Sequence, residues 1–141
     1  MIILFLVNCL VVGLAVAIHY EFLYQLTQMM PGLKIRHRLR IVFGVFTALI
    51  AHTTEVMIFA VAYFYIQKNE QWGELNGNFD GSFADCIYFS FTTFTTLGFG
   101  DIEPIGALRY LVGIESLTGL ILITWTASFL YIEMKQTWHL K

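Results

Sequence analysis

The sequence predicts an all-α integral membrane protein: three transmembrane helices, with a shorter re-entrant helix and its loop between the second and third. Three observations carry this. Of 141 residues 57% are hydrophobic and only 13% charged, against roughly 25% charge in ordinary soluble domains. The charged residues are bunched, leaving long apolar stretches at 2–18, 41–67 and 107–132. Between the last two lies an apolar, aromatic run at 83–94 that is too short to span, since a crossing helix needs about 20 residues. So little charge on so small a chain excludes a soluble enzyme, and a net charge of −2 gives no basic footprint for nucleic acid. Two cysteines, Cys9 and Cys86, make neither a disulfide framework nor a zinc cluster.

The first helix, within 1–30, has no charge from Ile2 to Ile18, and Tyr20, Phe22, Leu23 and Tyr24 extend it as an interfacial aromatic belt. Ala15-Val16-Ala17 has the small-x-small pattern of a signal cleavage site, but no basic residue precedes the apolar run. The helix is therefore expected to be retained. Pro31-Gly32 marks a turn, and the 31–40 loop carries Lys34, Arg36, Arg38 and Arg40. Basic loops stay cytoplasmic, which puts the N-terminus outside and these cations against anionic lipid headgroups. They recur in a loop rather than along a membrane helix, so they are not a voltage sensor.

The second helix, 41–67, has Glu55 as its only formal charge. Residues 68–106 then face outward, with Lys68 alone against Glu70, Glu74, Asp80, Asp85, Asp101 and Glu103. Such a surface either concentrates cations or is simply a solvated loop. Ser82 with Asp85 three residues on begins a capped helix over 83–95. A glycine-bearing backbone after it at membrane depth needs burial in protein or a watery cavity.

Residues 95–101 read Thr-Thr-Leu-Gly-Phe-Gly-Asp. This resembles the T-T-V-G-Y-G-D signature of potassium channels, and the helix, re-entrant helix, loop and helix of 41–133 are similar to that family's two-helix pore domain, here with one extra N-terminal helix. The resemblance implies a homotetramer that conducts potassium across the cell membrane. K+ is then the transported ion, with no organic cofactor. Thr96, Leu97, Gly98, Phe99 and Gly100 would form the selectivity filter, because rings of backbone carbonyls can replace a cation's hydration shell. Thr92, Thr93, Thr95 and Asp101 would support it. Phe99 lacks the hydroxyl of the family's Tyr, and Thr92 stands where some members place a carboxylate. A weakly selective monovalent cation channel is the alternative.

In the third helix, 107–133, the resemblance aligns Gly119 with an inner-helix hinge, although close helix packing explains a small residue equally well. Ile123, Ala127 and Tyr131 would line the pore below it, with Ser116, Thr124 and Ser128 as a competing stripe. The tail, 134–141, is too short for a ligand-binding module, so gating is expected from the helices, filter, lipid or pH. Three ionisable groups fall inside the membrane: His52 and Glu55 near mid-depth, and Glu115 level with the re-entrant helix. Each should face protein, with Thr92, Thr93 or each other as partners, forming a brace or a proton-sensitive cluster. His52 and Glu55, one helical turn apart, also suggest a remote alternative, a membrane-embedded metal or redox protein. No third His or Cys is expected at their depth.

Overall fold

The computed structural model describes residues 2–32, 36–68 and 70–139. Four helices dominate it: α1 (Ile2–Met29), α2 (His37–Ile66), α3 (Phe83–Phe94) and α4 (Leu108–His139). Three helical segments, Ile2–Met29, Leu39–Ile66 and Leu108–Gln136, are long and apolar enough to cross a membrane. At 28 residues the first two reach about 42 Å, using about 1.5 Å per residue.

Helix α1 buries one stripe, Leu4, Asn8, Val11, Ala15, His19, Leu23 and Leu26. The three- and four-residue spacing is that of a single helix face, and it packs α1 against α2 and α4. The opposite flank exposes Ile2, Phe5, Leu6 and Leu10, a surface suited to hydrocarbon. Because lipid tails are as apolar as leucine, such helices hold together by close packing and polar contacts rather than by the hydrophobic effect. Fully buried Ala15, Ala60 and Phe59 supply the first; His19 and Glu55 supply the second.

Helix α3 begins where the sequence places it. The Ser82 hydroxyl accepts from the Asp85 amide at 3.1 Å, and the Asp80 carboxylate accepts from the Ser82 amide at 2.7 Å. Hydrogen bonding from the Ser82 side chain and from its backbone amide holds the Asp80 carboxyl below its ordinary range. The helix ends at Phe94, with Thr95 as its cap, because Thr96 turns to a positive φ of 58° and breaks the helical run.

Three features differ from the sequence expectation. Helix α2 starts at His37, inside the segment expected to be loop; Arg36 remains exposed outside the helix, and Lys34 lies outside the described residues. Helix α4 runs on to His139 through most of the expected tail, while 140–141 lie outside the described residues. A two-stranded antiparallel sheet, β1 (Leu75–Gly77) with β2 (Ile102–Pro104), pairs Asn76 with Glu103. Strands of three residues are too short to show an alternating pattern. They clamp the loop before α3 to the segment leaving residues 95–101, helped by the Asn78 amide donating to the Asp101 carbonyl at 2.8 Å.

Candidate ion pathway

The loop after α3 has an alternating backbone. Thr96, Gly98 and Gly100 take φ values of 58°, 51° and 78°, while Leu97 and Phe99 between them are not in the positive-φ region. Alternating hand along a chain turns successive peptide groups the same way, so carbonyls can line one side. Glycine takes such values at no steric cost. All five residues, Thr96 to Gly100, are exposed on the single chain.

The last turn of α3 anchors this loop. The Thr96 amide donates to the Thr93 carbonyl at 2.9 Å, and the Gly98 amide to the Thr92 carbonyl at 3.1 Å. Ser116 of α4 donates to the same Thr93 carbonyl at 3.2 Å. Thr92 and Thr95 turn their hydroxyls onto their own helix, at Phe89 and Phe91. The helix's partial negative end is thereby directed at the loop, where a cation is favoured. An open groove of about 330 Å³ runs behind the loop, with Thr92 and Thr93 on one wall and Val112 and Ser116 on the other.

The outer end is held by a residue that the sequence reading missed. Tyr88 of α3 donates to the Asp101 carboxylate at 2.8 Å, and its ring lies parallel to Phe99, centroids 6.4 Å apart. That bond keeps the Tyr88 phenol above its ordinary range, since losing the proton would set two anionic oxygens together. Tyr88 stands 13 residues before Asp101, and no short-range spacing marks the pair.

On α4, Gly119 is buried against the end of α3. A Cβ there would run into the Phe94 carbonyl, 2.9 Å from its carbon, so close approach alone requires glycine. Ile123, Ala127 and Tyr131 follow at successive turns and are exposed on the single chain. Thr124 and Ser128 of the competing stripe bond back to their own helix, at Leu120 and Thr124.

The intramembrane ionisable groups do face protein, as two separate networks in which one expected pair, His52 with Glu55, is joined by other partners. Glu115 accepts from Tyr63 of α2 and lies 2.5 Å from the Ser90 hydroxyl of α3; neither Thr92 nor Thr93 reaches it. The expected sharing between Glu115 and Glu55 does not occur. Glu55 meets His52, an expected partner, at 2.9 Å, and also His19 of α1, which was not expected, at 2.8 Å. The expectation of no third histidine at that depth is thus wrong, because α1 continues as helix through His19 to Met29. His19, His52 and Glu55 are the one group among the described residues whose atoms are placed to hold a metal ion. The heptad-like stripe containing Asn8 and His19 was the available signal.

A family model described as an ion channel matches residues 51–136. The inward rectifier potassium channel Kirbac3.1 of Paramagnetospirillum magnetotacticum is 42% identical over 52 residues, covering 36% of this chain and 18% of that protein. The chain therefore spans less than a fifth of that relative's length. No solved structure matches.

Proposed function

The chain belongs to the ion-channel family, and from that premise we propose that four copies close around one axis and conduct potassium across the cell membrane. The observation that carries this reading is the alternation of positive φ at Thr96, Gly98 and Gly100 directly after the C-terminal end of α3. One chain offers one strand of carbonyls. Four strands around an axis give stacked rings that replace the hydration shell of a cation, and cyclic symmetry supplies them from identical chains. Thr96, Leu97, Gly98 and Phe99 provide the rings, Gly100 completes the turn, and Tyr88 with Asp101 fixes the outer end.

In this assembly α4 lines the inner cavity through Ile123 and Ala127, with Tyr131 at its mouth and Gly119 as pivot or packing point. The basic residues Lys34, Arg36, Arg38 and Arg40 meet anionic headgroups on the cytoplasmic side, and the N-terminus lies outside. Conduction needs no organic cofactor and no catalytic residue. The weakly selective reading rests on Phe99, whose ring has no hydroxyl to bond sideways.

The test is reconstitution in planar bilayers with sodium on one side and potassium on the other. A reversal potential far from zero, of the sign set by potassium leaving its own side, supports the proposal. A value near zero with robust current supports a weakly selective pore, and no current in any cation rejects both.

A further inference from the structure

Helices α1, α2 and α4 meet at one buried polar cluster beside Phe94. His19 and His52 each set Nδ1 against a different oxygen of Glu55, at 2.8 and 2.9 Å. On their far sides both Nε2 atoms converge on the Thr126 hydroxyl of α4, at 3.4 Å from His19 and 3.1 Å from His52. His19 and Glu55 are fully buried, whereas the His52 side chain keeps 18% exposure. The rings of Trp125 and Phe94 cover the imidazoles, with centroids at 5.2 and 5.8 Å.

The hydrogens do not balance. Four contacts need four hydrogens, but two neutral imidazoles bring one each and the threonine brings one. With Glu55 ionised the ring is one positive charge short. A buried carboxylate inside an apolar bundle also demands a cation.

We propose that a divalent transition-metal ion of the Zn2+ class supplies this charge, held by Nδ1 of His19, Nδ1 of His52 and the Glu55 carboxylate, with a hydroxide or small anion as fourth ligand balancing its second charge. The ion replaces both Nδ1 hydrogens, so each imidazole carries its hydrogen on Nε2. Both then donate to Thr126, whose oxygen has two lone pairs to receive them, so all four imidazole nitrogens are partnered. The three ligand atoms lie within 4.8 Å of one another, a spread that bonds of about 2.0–2.2 Å bridge with small side-chain shifts. Imidazole with carboxylate suits zinc or cobalt rather than hard or alkali cations. His52 and Glu55 stand three residues apart on one helix and His19 faces them from another, which is how bundle-core metal sites are assembled. Thr126 orients both imidazoles through their outer nitrogens.

The test uses the full chain in detergent with His37→Gln, His139→Gln and Cys9→Ser, leaving His19 and His52 as the only histidines. After metal removal it is titrated with Zn2+ and, separately, with Co2+. The expected result is one ion per chain, with the visible absorption of four-coordinate Co2+. Binding should be lost in His19→Ala and Glu55→Gln. Thr126→Val should keep the stoichiometry and weaken affinity roughly 10- to 100-fold. Absence of saturable binding in the parent chain overturns the proposal and assigns the missing charge to a proton on one imidazole. Binding undiminished by Glu55→Gln overturns it as well. The parent cobalt spectrum decides even where a variant fails to fold. No current is measured, so failure here leaves the channel reading standing.

Discussion

Glu115 ties three helices together, and its hydrogen bonds fix which atoms carry protons. The Ser90 hydroxyl lies 2.9 Å from the Val56 carbonyl and 2.5 Å from Glu115 Oε1, while Tyr63 donates to Oε2. Serine has one hydrogen, and a carbonyl can only accept. If Ser90 gives its hydrogen to Val56, the Glu115 contact needs a hydrogen from the carboxyl itself. The chain then runs from Tyr63 to Glu115 to Ser90 to Val56, with Glu115 neutral. Glu115→Gln preserves it, because the amide oxygen accepts from Tyr63 and the amide nitrogen donates to Ser90. The expected loss is within about 1 kcal/mol, the net worth of one ordinary hydrogen bond. Glu115→Leu strands the buried Tyr63 hydroxyl and should cost about 1–3 kcal/mol. Thermal unfolding in detergent measures both. Infrared spectra should show a protonated-carboxyl stretch that Glu115→Gln removes. If Glu115→Gln instead costs more than about 3 kcal/mol, as removal of a buried charged partner does, and the infrared band is missing, the neutral chain is refuted.

In the proposed filter segment, Gly98→Ala and Gly100→Ala force a Cβ into φ values of 51° and 78°, at a cost of about 1–2 kcal/mol per residue. Nothing lies within 4 Å of either added carbon, so circular dichroism should show intact helices while potassium current is lost; selective current of normal size would reject the filter assignment. Gly119→Ala drives a Cβ into the Phe94 carbonyl and should lower stability by about 1–3 kcal/mol, the usual cost of overpacking, read from the melting temperature. Tyr88→Phe removes the donor to Asp101 and should speed current decay or shift selectivity. Asp101→Asn keeps an accepting oxygen and should be milder on both readouts. If instead Asp101→Asn changes only conductance, and only at low salt where screening is weak, the carboxylate acts through its field alone.

The sequence made the three spans legible because charge is sparse in them, and α3 legible because Ser82 and Asp85 announce its start. The paired glycines at 98 and 100 marked the loop for the same local reason, a backbone that other residues avoid. What stayed hidden depended on rotation about helix axes. Thr92 and Thr93 were natural partners for Glu115 by depth, yet Ser90 has the position. Two residues along a helix turn a side chain about 200°, at 3.6 residues per turn, so Ser90 and Thr92 point to opposite sides of α3. His19 was missed for the opposite reason. A polar residue near an aromatic belt looks interfacial until the helix is known to continue, and only then does its place on the stripe of Ala15 and Leu23 count.

The N-terminal helix, which lies outside the matched segment 51–136, is joined to the inner helix at a point that matters for movement. Thr126 sits seven residues beyond Gly119, about 10 Å further along α4 at about 1.5 Å per residue. If Gly119 is the pivot of the proposed pore, a bend there would swing Thr126 away from the axis of the upper half of α4. Thr126 contacts both His19 and His52, so the swing must either break those contacts or carry α1 and α2 with it. Breaking them leaves buried imidazole nitrogens without partners, at about 1–3 kcal/mol for each. Moving α1 with α4 avoids that cost, because the exposed flank of α1 is apolar and slides in hydrocarbon without losing a bond. In the proposed channel the extra helix would therefore move with α4 rather than stand as a fixed anchor beside it.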